Sequence, residues 1–411
     1  MDDVSLTGIL VVASVAFFAP LALGLAPRLR IPAVVLELVG GILVGPSLLD
    51  WVEPDAALEL LSLLGLAFLL LLAGLEIDFD RLRGGLLGIT GTAFALSLAL
   101  ALAAGLALDI GGLVNSPLLV AIMLAATSLG VVVPVLKDSG RASSPVGLLV
   151  IAGASIADIA SVVLLSLFFS GESSDLGAQL ILLTAFAVLV VTLALALLGL
   201  EHWMRLGEVL VRLQDTTAQI RIRGVFLLLA LFAAFAEAFG LEAILGAFAA
   251  GAVINLIDRD RAMTHPQFRQ KLEGASFGIF VPFFFVTTGV KFDLDALLAG
   301  GEALAKVPIF LAALLLVRGV PALLYRRLLS LREALAAGLL QATSLGSFVV
   351  AGQIGMELGL ISTATGAALI SAGLASVLIF PSAASVLLSP ASKSETPRAT
   401  PARPPAESHP A

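Results

Sequence analysis

Long apolar stretches alternate with short polar connections along almost the whole chain. Thirteen can be marked, at about 4–27, 31–49, 56–77, 84–108, 116–136, 144–170, 177–200, 222–239, 242–257, 275–290, 303–325, 333–356 and 361–388. Their lengths bracket the roughly 20 residues that an α-helix needs to cross a hydrocarbon core. A segment in lipid must satisfy its own backbone hydrogen bonds, so each is read as a helix. The expected fold is therefore an all-α polytopic membrane protein with about 13 transmembrane helices. It forms one transmembrane domain over 1–388, followed by a Pro-, Ser- and Ala-rich tail over 389–411 that is expected to be disordered.

Charge in the connections follows the same alternation. Arg28 and Arg30, Arg81 and Arg83, Lys137 and Arg141, Arg205 to Arg223, Arg259 to Lys271, and Arg326 to Arg332 fall on alternate loops. The intervening loops carry Asp50, Glu53, Asp55, Asp109, Glu172, Asp175 and Glu357, with Lys291 and Lys306 as the basic exceptions. The excess of Lys and Arg on the cytoplasmic side of membrane proteins then puts the N-terminus outside and the C-terminus, with its tail, in the cytoplasm.

Composition narrows the class. Of 411 residues, 59% are hydrophobic and 13% charged, and the mean hydropathy of +1.08 is far from that of a soluble globular domain. The net charge of −7 says little, because charge here matters by location. Cysteine is absent, which excludes disulfides and thiolate metal sites. His202, His265 and His409 all lie in loops or the tail. Met1-Asp2-Asp3 is acidic where a signal peptide would be basic, so the first run is expected to be retained as a spanning helix. No cofactor and no nucleic-acid partner is expected.

A duplication organises the chain further. Ala126-Thr127-Ser128-Leu129-Gly130 recurs as Ala342-Thr343-Ser344-Leu345-Gly346, and Gly74-Leu75-Glu76-Ile77-Asp78-Phe79-Asp80 aligns with Gly289 to Asp295 at nearly the same offset. By the loop charges Arg81 is inside while Asp293 and Asp295 are outside, so the two copies have opposite orientation. Inverted repeats at about 4–170 and 222–388, joined by a linker helix at about 177–200, are expected. This is an architecture of alternating-access transporters, whose discontinuous helices meet near the bilayer midplane. Thr127 and Ser128, followed by Gly130 and Pro134, suit an interrupted helix. Thr343 and Ser344 mark a crossover mate without a proline. The alternative for either Thr-Ser pair is small-residue helix packing.

The candidate chemistry centres on Asp158, within the run from about 145 to 169. A charged side chain at that depth costs about 2.5–3.5 kcal/mol on insertion scales, so intramembrane acids are functional by default. Ser155 and Ser161 lie three residues to either side, on the same helical face. Burial and nearby cations or hydroxyl donors pull a carboxyl's proton affinity in opposite directions. A balance near cytoplasmic pH lets a proton and an alkali cation compete for one carboxylate. The hydroxyls and carbonyls of Thr127, Ser128 and Ser155 are hard oxygen ligands suited to sodium or potassium.

Several motifs resemble, in order and spacing, the monovalent cation:proton antiporter-2 family, which includes sodium/proton and potassium/proton exchangers and glutathione-gated potassium efflux systems. They are Gly40-Gly41-Ile42-Leu43-Val44-Gly45-Pro46, Ala73-Gly74-Leu75-Glu76, Ala126-Thr127-Ser128, the Asp158 helix, Leu245 to Gly251, and Val281-Pro282-Phe283-Phe284-Phe285 with Gly289. The resemblance covers about 31–380. It implies that Asp158 binds the cation or the proton, and that the chain forms a homodimer in a bacterial inner membrane. The family carries Asp, Asn or Gln before that acid, and here Ala157 stands instead, which turns the expectation toward electroneutral one-for-one exchange.

Arg318 is the one basic residue well inside an apolar run. The resemblance implies a core ion pair there, and the partner is open between Asp158, Glu76 and Glu237. A structural tie through backbone carbonyls is the competing reading. Arg does not deprotonate in proteins, which again favours electroneutral exchange. Glu76 is read as a solvated helix end or an auxiliary to the pocket, Glu237 and Glu242 as an outer funnel or a plain turn, and Glu37 as an inner funnel residue or a snorkelling one. Two other functions remain: a cation channel or efflux protein, for which no repeated carbonyl filter is present, and a sodium-coupled organic-acid symporter, which needs more buried acids than the runs contain.

Overall fold

The computed structural model describes residues 5–25, 32–76, 85–138, 140–169, 176–201, 219–257, 266–298 and 301–388. The tail over 389–411, Asp78, Asp80, the three histidines and the arginines at 28, 30, 81, 83, 205, 212, 259 and 261 lie outside the described residues. Among the described residues there is no strand. The helices are α1 (Leu6–Leu25), α2 (Ala33–Val44), α3 (Ala56–Leu75), α4 (Gly85–Ile110), α5 (Pro117–Ala125), α6 (Leu129–Asp138), α7 (Pro145–Phe169) and α8 (Leu176–Glu201). Then come α9 (Ile220–Ala238), α10 (Ala243–Ile257), α11 (Pro266–Ala275), α12 (Val281–Val290), α13 (Leu294–Leu298), α14 (Glu302–Leu314), α15 (Leu331–Gln341), α16 (Gly346–Glu357) and α17 (Thr363–Leu388).

Every one of the thirteen apolar runs falls on helix. Among the described residues, eight helical stretches are individually long and apolar enough to cross a membrane. The remaining runs are the shorter α2 and α10, the long α8, the α9 helix, and the broken pair α5–α6. Large apolar side chains such as Phe17, Phe18, Ile181, Leu195 and Leu227 face outward, as they do where lipid replaces water around a bundle.

Two helices are regular neither in pitch nor in bonding. A π turn over Ser276–Phe280 joins α11 to α12, and another over Leu315–Gly319 follows α14. Pro282 and Pro321 stand just after these turns and have no N–H to return to the preceding carbonyls. The second π turn is continued by a 3₁₀ segment, Pro321–Arg327, and carries Arg318.

The two copies of the duplicated motif run in opposite directions. Leu119, early in α5, packs against Gly355, late in α16. At the other end, the Arg141 guanidinium, just after α6, donates to the Leu388 carbonyl that closes α17. Arg141 is also within electrostatic reach of Glu333 in the first turn of α15. So α6, α15 and the end of α17 meet on one side, the Arg141 end, and α5 and α16 on the other.

The duplication is repeated in the packing of glycines. Gly41 of α2 meets Gly289 of α12, where an added Cβ would come within 2.9 Å of the Gly289 Cα and overlap the Val286 carbonyl. Gly74 of α3 meets Gly251 of α10 in the same way, against the Phe248 and Leu71 carbonyls. In sequence order these are the same pair with the repeats exchanged. Without lipid-excluding hydrophobic force between helices, such close backbone contact is what holds them together.

Candidate functional site: a carboxylate at a helix crossover

The two interrupted helices break at Ala126–Ser128 and Ala342–Leu345, and the breaks lie against each other. Each break leaves unpaired carbonyls at one helix end and unpaired N–H groups at the next. The opposite copy supplies partners for them. Ser128 N–H donates to the Thr343 carbonyl at 2.9 Å. The Thr127 hydroxyl donates to the Gln341 carbonyl, at the end of α15, at 2.7 Å. The Ser128 hydroxyl accepts from the N–H groups of Leu345 and Gly346, at the start of α16, at 3.0 and 3.2 Å.

Charge is placed to suit the helix ends. The positive end of α6 faces Asp158, whose Oδ2 accepts the Leu129 N–H at 3.4 Å. In the other copy the comparable role falls to a neutral group, because Ser344 N–H donates to the Ser376 hydroxyl at 3.1 Å. Among the described residues, only the first break thus has a carboxylate oxygen bonded at its N–H end. The negative end of α15 faces Arg318, which is 1% exposed. Its guanidinium donates to the Thr127 hydroxyl at 3.0 and 2.7 Å, to Ser97 at 3.2 Å and to the Gln341 carbonyl at 3.4 Å. The cation also stands 5.7 Å from the centre of the Phe94 ring. These bonds go to hydroxyls and a carbonyl, and carboxylates take no part in them. Gln341 is fixed in turn by donating to the Tyr325 hydroxyl at 2.7 Å.

A cavity of about 1260 Å³ reaches the site. Pro32, Glu76, Arg141 and Leu388 ring it at the Arg141 end, and Ser128, Asp158, Ser161 and Leu165 line it further in. Its walls come from α2, α3, α10 and α12 on one side and from α5, α6, α7, α16 and α17 on the other. Asp158 keeps part of its surface open to this space. Glu76 and Arg318 are within electrostatic reach of it. Past the site the two sides are held together by Gln353 of α16 donating to Thr288 of α12 at 3.2 Å. The Glu242 N–H also donates to the Ser166 hydroxyl at 3.2 Å.

The sequence-predicted residues sort as follows. Asp158, Ser128 and Glu76 share the cavity. Thr127 is fully buried behind it and joined to Arg318. Ser155 is 1% exposed and donates to the Ile151 carbonyl of its own helix at 2.9 Å. Thr343 bonds back to the Leu339 carbonyl, and the Ser344 hydroxyl is buried without a partner. Glu237 and Glu242 stand at the α9–α10 turn near Glu357, away from Asp158. Glu37 is buried within α2 and does not line the cavity. Sequence reasoning missed Gln341, Tyr325 and Ser97 around Arg318. Gln341 stands next to the repeated Ala342-Thr343-Ser344, and this adjacency was the available signal.

The chain is similar to known sodium/proton antiporters in sequence and in fold. The putative sodium/proton antiporter YjbQ of Bacillus subtilis is 32% identical over 384 residues, 90% of this chain and 61% of that protein, so the chain spans less than two thirds of that relative's length. The sodium/proton-potassium antiporter GerN of Bacillus cereus is 28% identical over 296 residues, 70% of this chain and 72% of that protein. The solved structure of the sodium proton antiporter MjNhaP1 from Methanocaldococcus jannaschii shares the fold, with a TM-score of 0.61 at 19% identity over 92% of this chain and 97% of that one. The family described as the transmembrane part of the sodium/hydrogen exchangers matches residues 13–389. The narrower antiporter-2 resemblance is a finer division than that match makes. With nearly its whole length matched, this chain belongs to the sodium/hydrogen exchanger family.

Proposed function

We propose that this chain is a secondary active transporter that exchanges one monovalent cation, sodium or potassium, for one proton by alternating access at Asp158. The observation that carries the reading is the Asp158 carboxylate, set against the start of α6 within a bilayer-length helix and lining a cavity that Glu76 and Arg141 border. A lone carboxylate there can hold a proton or an alkali cation, and its occupant is neutralised either way. Arg318 keeps its charge throughout, since Arg does not deprotonate, and its hydrogen bonds are committed to the crossover. Electroneutral exchange follows. Thr127 and Ser128 hold the crossover that presents the carboxylate, and Ser155 stiffens its helix from behind. Glu76, at the rim, draws cations toward the cavity.

By the loop charges the Arg141 end faces the cytoplasm of a bacterial inner membrane, the N-terminus is outside, and this conformation is inward-facing. The inverted repeats over about 4–170 and 222–388, with the linker helix over 177–200, supply the two bundles that move past each other. A homodimer would form through α1, whose Phe17 and Phe18 face outward, because the α2 glycines are already occupied by Val15 and Gly289 within the chain.

The test is cation-dependent proton flux in proteoliposomes with sodium, potassium and lithium compared and the membrane potential clamped. Flux that follows the cation and pH gradients but not voltage, and is abolished in Asp158→Asn, is expected. Cation flux without proton counterflow would instead indicate a channel, and normal exchange in Asp158→Asn would refute the proposal.

A further inference from the structure

Four hydroxyls close to the carboxylate were candidates to bind the cation beside it, and their hydrogen bonds separate them. A hydroxyl has one proton to give and two lone pairs to accept with. Thr127 gives its proton to the Gln341 carbonyl and accepts two guanidinium N–H groups from Arg318, so it is full. Ser128 accepts the N–H groups of Leu345 and Gly346 with both lone pairs. It retains only a proton, which suits a carboxylate and repels a cation. Ser155 gives its proton to the Ile151 carbonyl and does not reach the cavity wall.

Ser161 differs from all three. It is a lining residue of the cavity that holds Asp158, it is 6% exposed, and its hydroxyl oxygen is buried just beneath that wall without a hydrogen-bond partner. Buried polar atoms in native proteins are nearly always satisfied, so an orphan at a site signals an occupant. At a spacing of three residues on α7, Ser161 sits one turn beyond Asp158 on the same face, with Cβ atoms about 5–6 Å apart. A serine oxygen is a hard ligand of the kind alkali cations prefer. We infer that Ser161 is a direct oxygen ligand of the transported cation, binding it from the closed side of the cavity while Asp158 binds it from the open side.

This inference rests on the exchange reading above, and the experiment separates the two. The variants Ser161→Ala, Ser161→Cys and Asp158→Asn are compared with the unaltered protein in proteoliposomes, using sodium, potassium and lithium chloride under an imposed pH gradient. Ser161→Ala is expected to raise the apparent KM for the cation about fivefold or more, with the maximal rate at saturating cation within about twofold. Ser161→Cys keeps the volume but replaces oxygen with a softer sulfur, so ligation predicts that it behaves like Ser161→Ala. A cysteine variant with the original KM, or a fall in maximal rate with KM unchanged in both variants, would mean that Ser161 only packs, and would overturn the inference. Cation-induced thermal stabilisation of purified protein gives the same comparison where transport is weak. If both Ser161 variants bind cations normally while Asp158→Asn is inactive, only the present inference fails; if Asp158→Asn exchanges normally, the exchange reading fails.

Discussion

The tie between Arg318 and Thr127 can be tested quantitatively. Arg318 is buried and makes two close bonds to one hydroxyl, at 3.0 and 2.7 Å, a third to Ser97 at 3.2 Å and a long fourth to the Gln341 carbonyl at 3.4 Å. In water-soluble proteins a hydrogen bond to a charged group contributes about 1.5–3 kcal/mol. In membrane proteins interhelical bonds average about 0.6 and reach about 1.7 kcal/mol. Truncating Arg318 to Ala also empties a large side-chain volume, so a total loss of about 3–5 kcal/mol is expected. Thr127→Val keeps the shape and removes the acceptor, at about 1–3 kcal/mol. A double-mutant cycle by reversible unfolding in mixed micelles should therefore show a coupling of about 1–2 kcal/mol between the two positions. Coupling between Arg318→Ala and Asp158→Asn should be smaller, because the guanidinium's hydrogen bonds go to Thr127, Ser97 and Gln341 and not to that carboxylate. If the Arg318 and Thr127 variants add to within about 0.5 kcal/mol, or the Arg318–Asp158 cycle shows the larger coupling, the crossover-tie account is wrong.

Other predictions use different parts of the molecule. Gly41→Ala and Gly251→Ala force helix backbones apart and should each destabilise by about 1–3 kcal/mol or more. Gly88→Ala, at a helical position with no atom within 4 Å of the added carbon, should be neutral or stabilise by up to about 1 kcal/mol. The same unfolding assay checks both. Asp55 caps α3, accepting the Leu58 N–H at 2.8 Å and the Ser5 N–H at 2.7 Å, and these bonds hold its carboxyl below the usual range. Its contribution is thus present above the ordinary carboxylate pKa and lost as pH falls through the lowered value. Asp55→Ala should cost about 0.5–2 kcal/mol at neutral pH, and Asp55→Asn should keep much of the cap while flattening that acid-side loss. Gln353→Leu removes the bond to Thr288 that closes the end opposite Arg141. It should raise the outward-open population about fivefold, read as faster labelling of Leu165→Cys from outside, in a chain with no other cysteine. Unchanged labelling would show that this bond does not hold the closure.

The membrane class, the helices and both interruptions were legible because they depend on local signals. Apolar run length sets a spanning helix, and Thr127-Ser128 and Thr343-Ser344 interrupt their helices at the repeated motif. Asp158 was legible for the same reason: a carboxylate in a bilayer-length run stands out against its surroundings. What the hydroxyls do was not legible. The same-face spacing of Ser155 and Ser161 about Asp158 is symmetrical in sequence, yet the Ser155 hydroxyl bonds to its own helix while the Ser161 hydroxyl, at a residue lining the cavity, has no partner. The partners of Ser128 and Thr127 lie 191 to 218 residues away, in the other copy, where no helical periodicity can find them. Arg318 had three candidate carboxylates by charge alone, and its observed partners are neutral groups selected by the geometry of the crossing helices. The glycine pairs show a similar division. Gly41, Gly74, Gly251 and Gly289 were all visible as motif members, but which of them meet follows only from how the repeats interlock.

The central claim is that a cation and a proton exclude each other at Asp158, and the most direct measurement is proton release on cation binding. Calorimetric titration of the purified protein with sodium, potassium or lithium chloride, in buffers of differing ionisation heat, counts the protons expelled per cation bound. The account predicts a count that approaches one as the pH is lowered, and none in Asp158→Asn. Cation binding without proton release, or release that persists in Asp158→Asn, would contradict it.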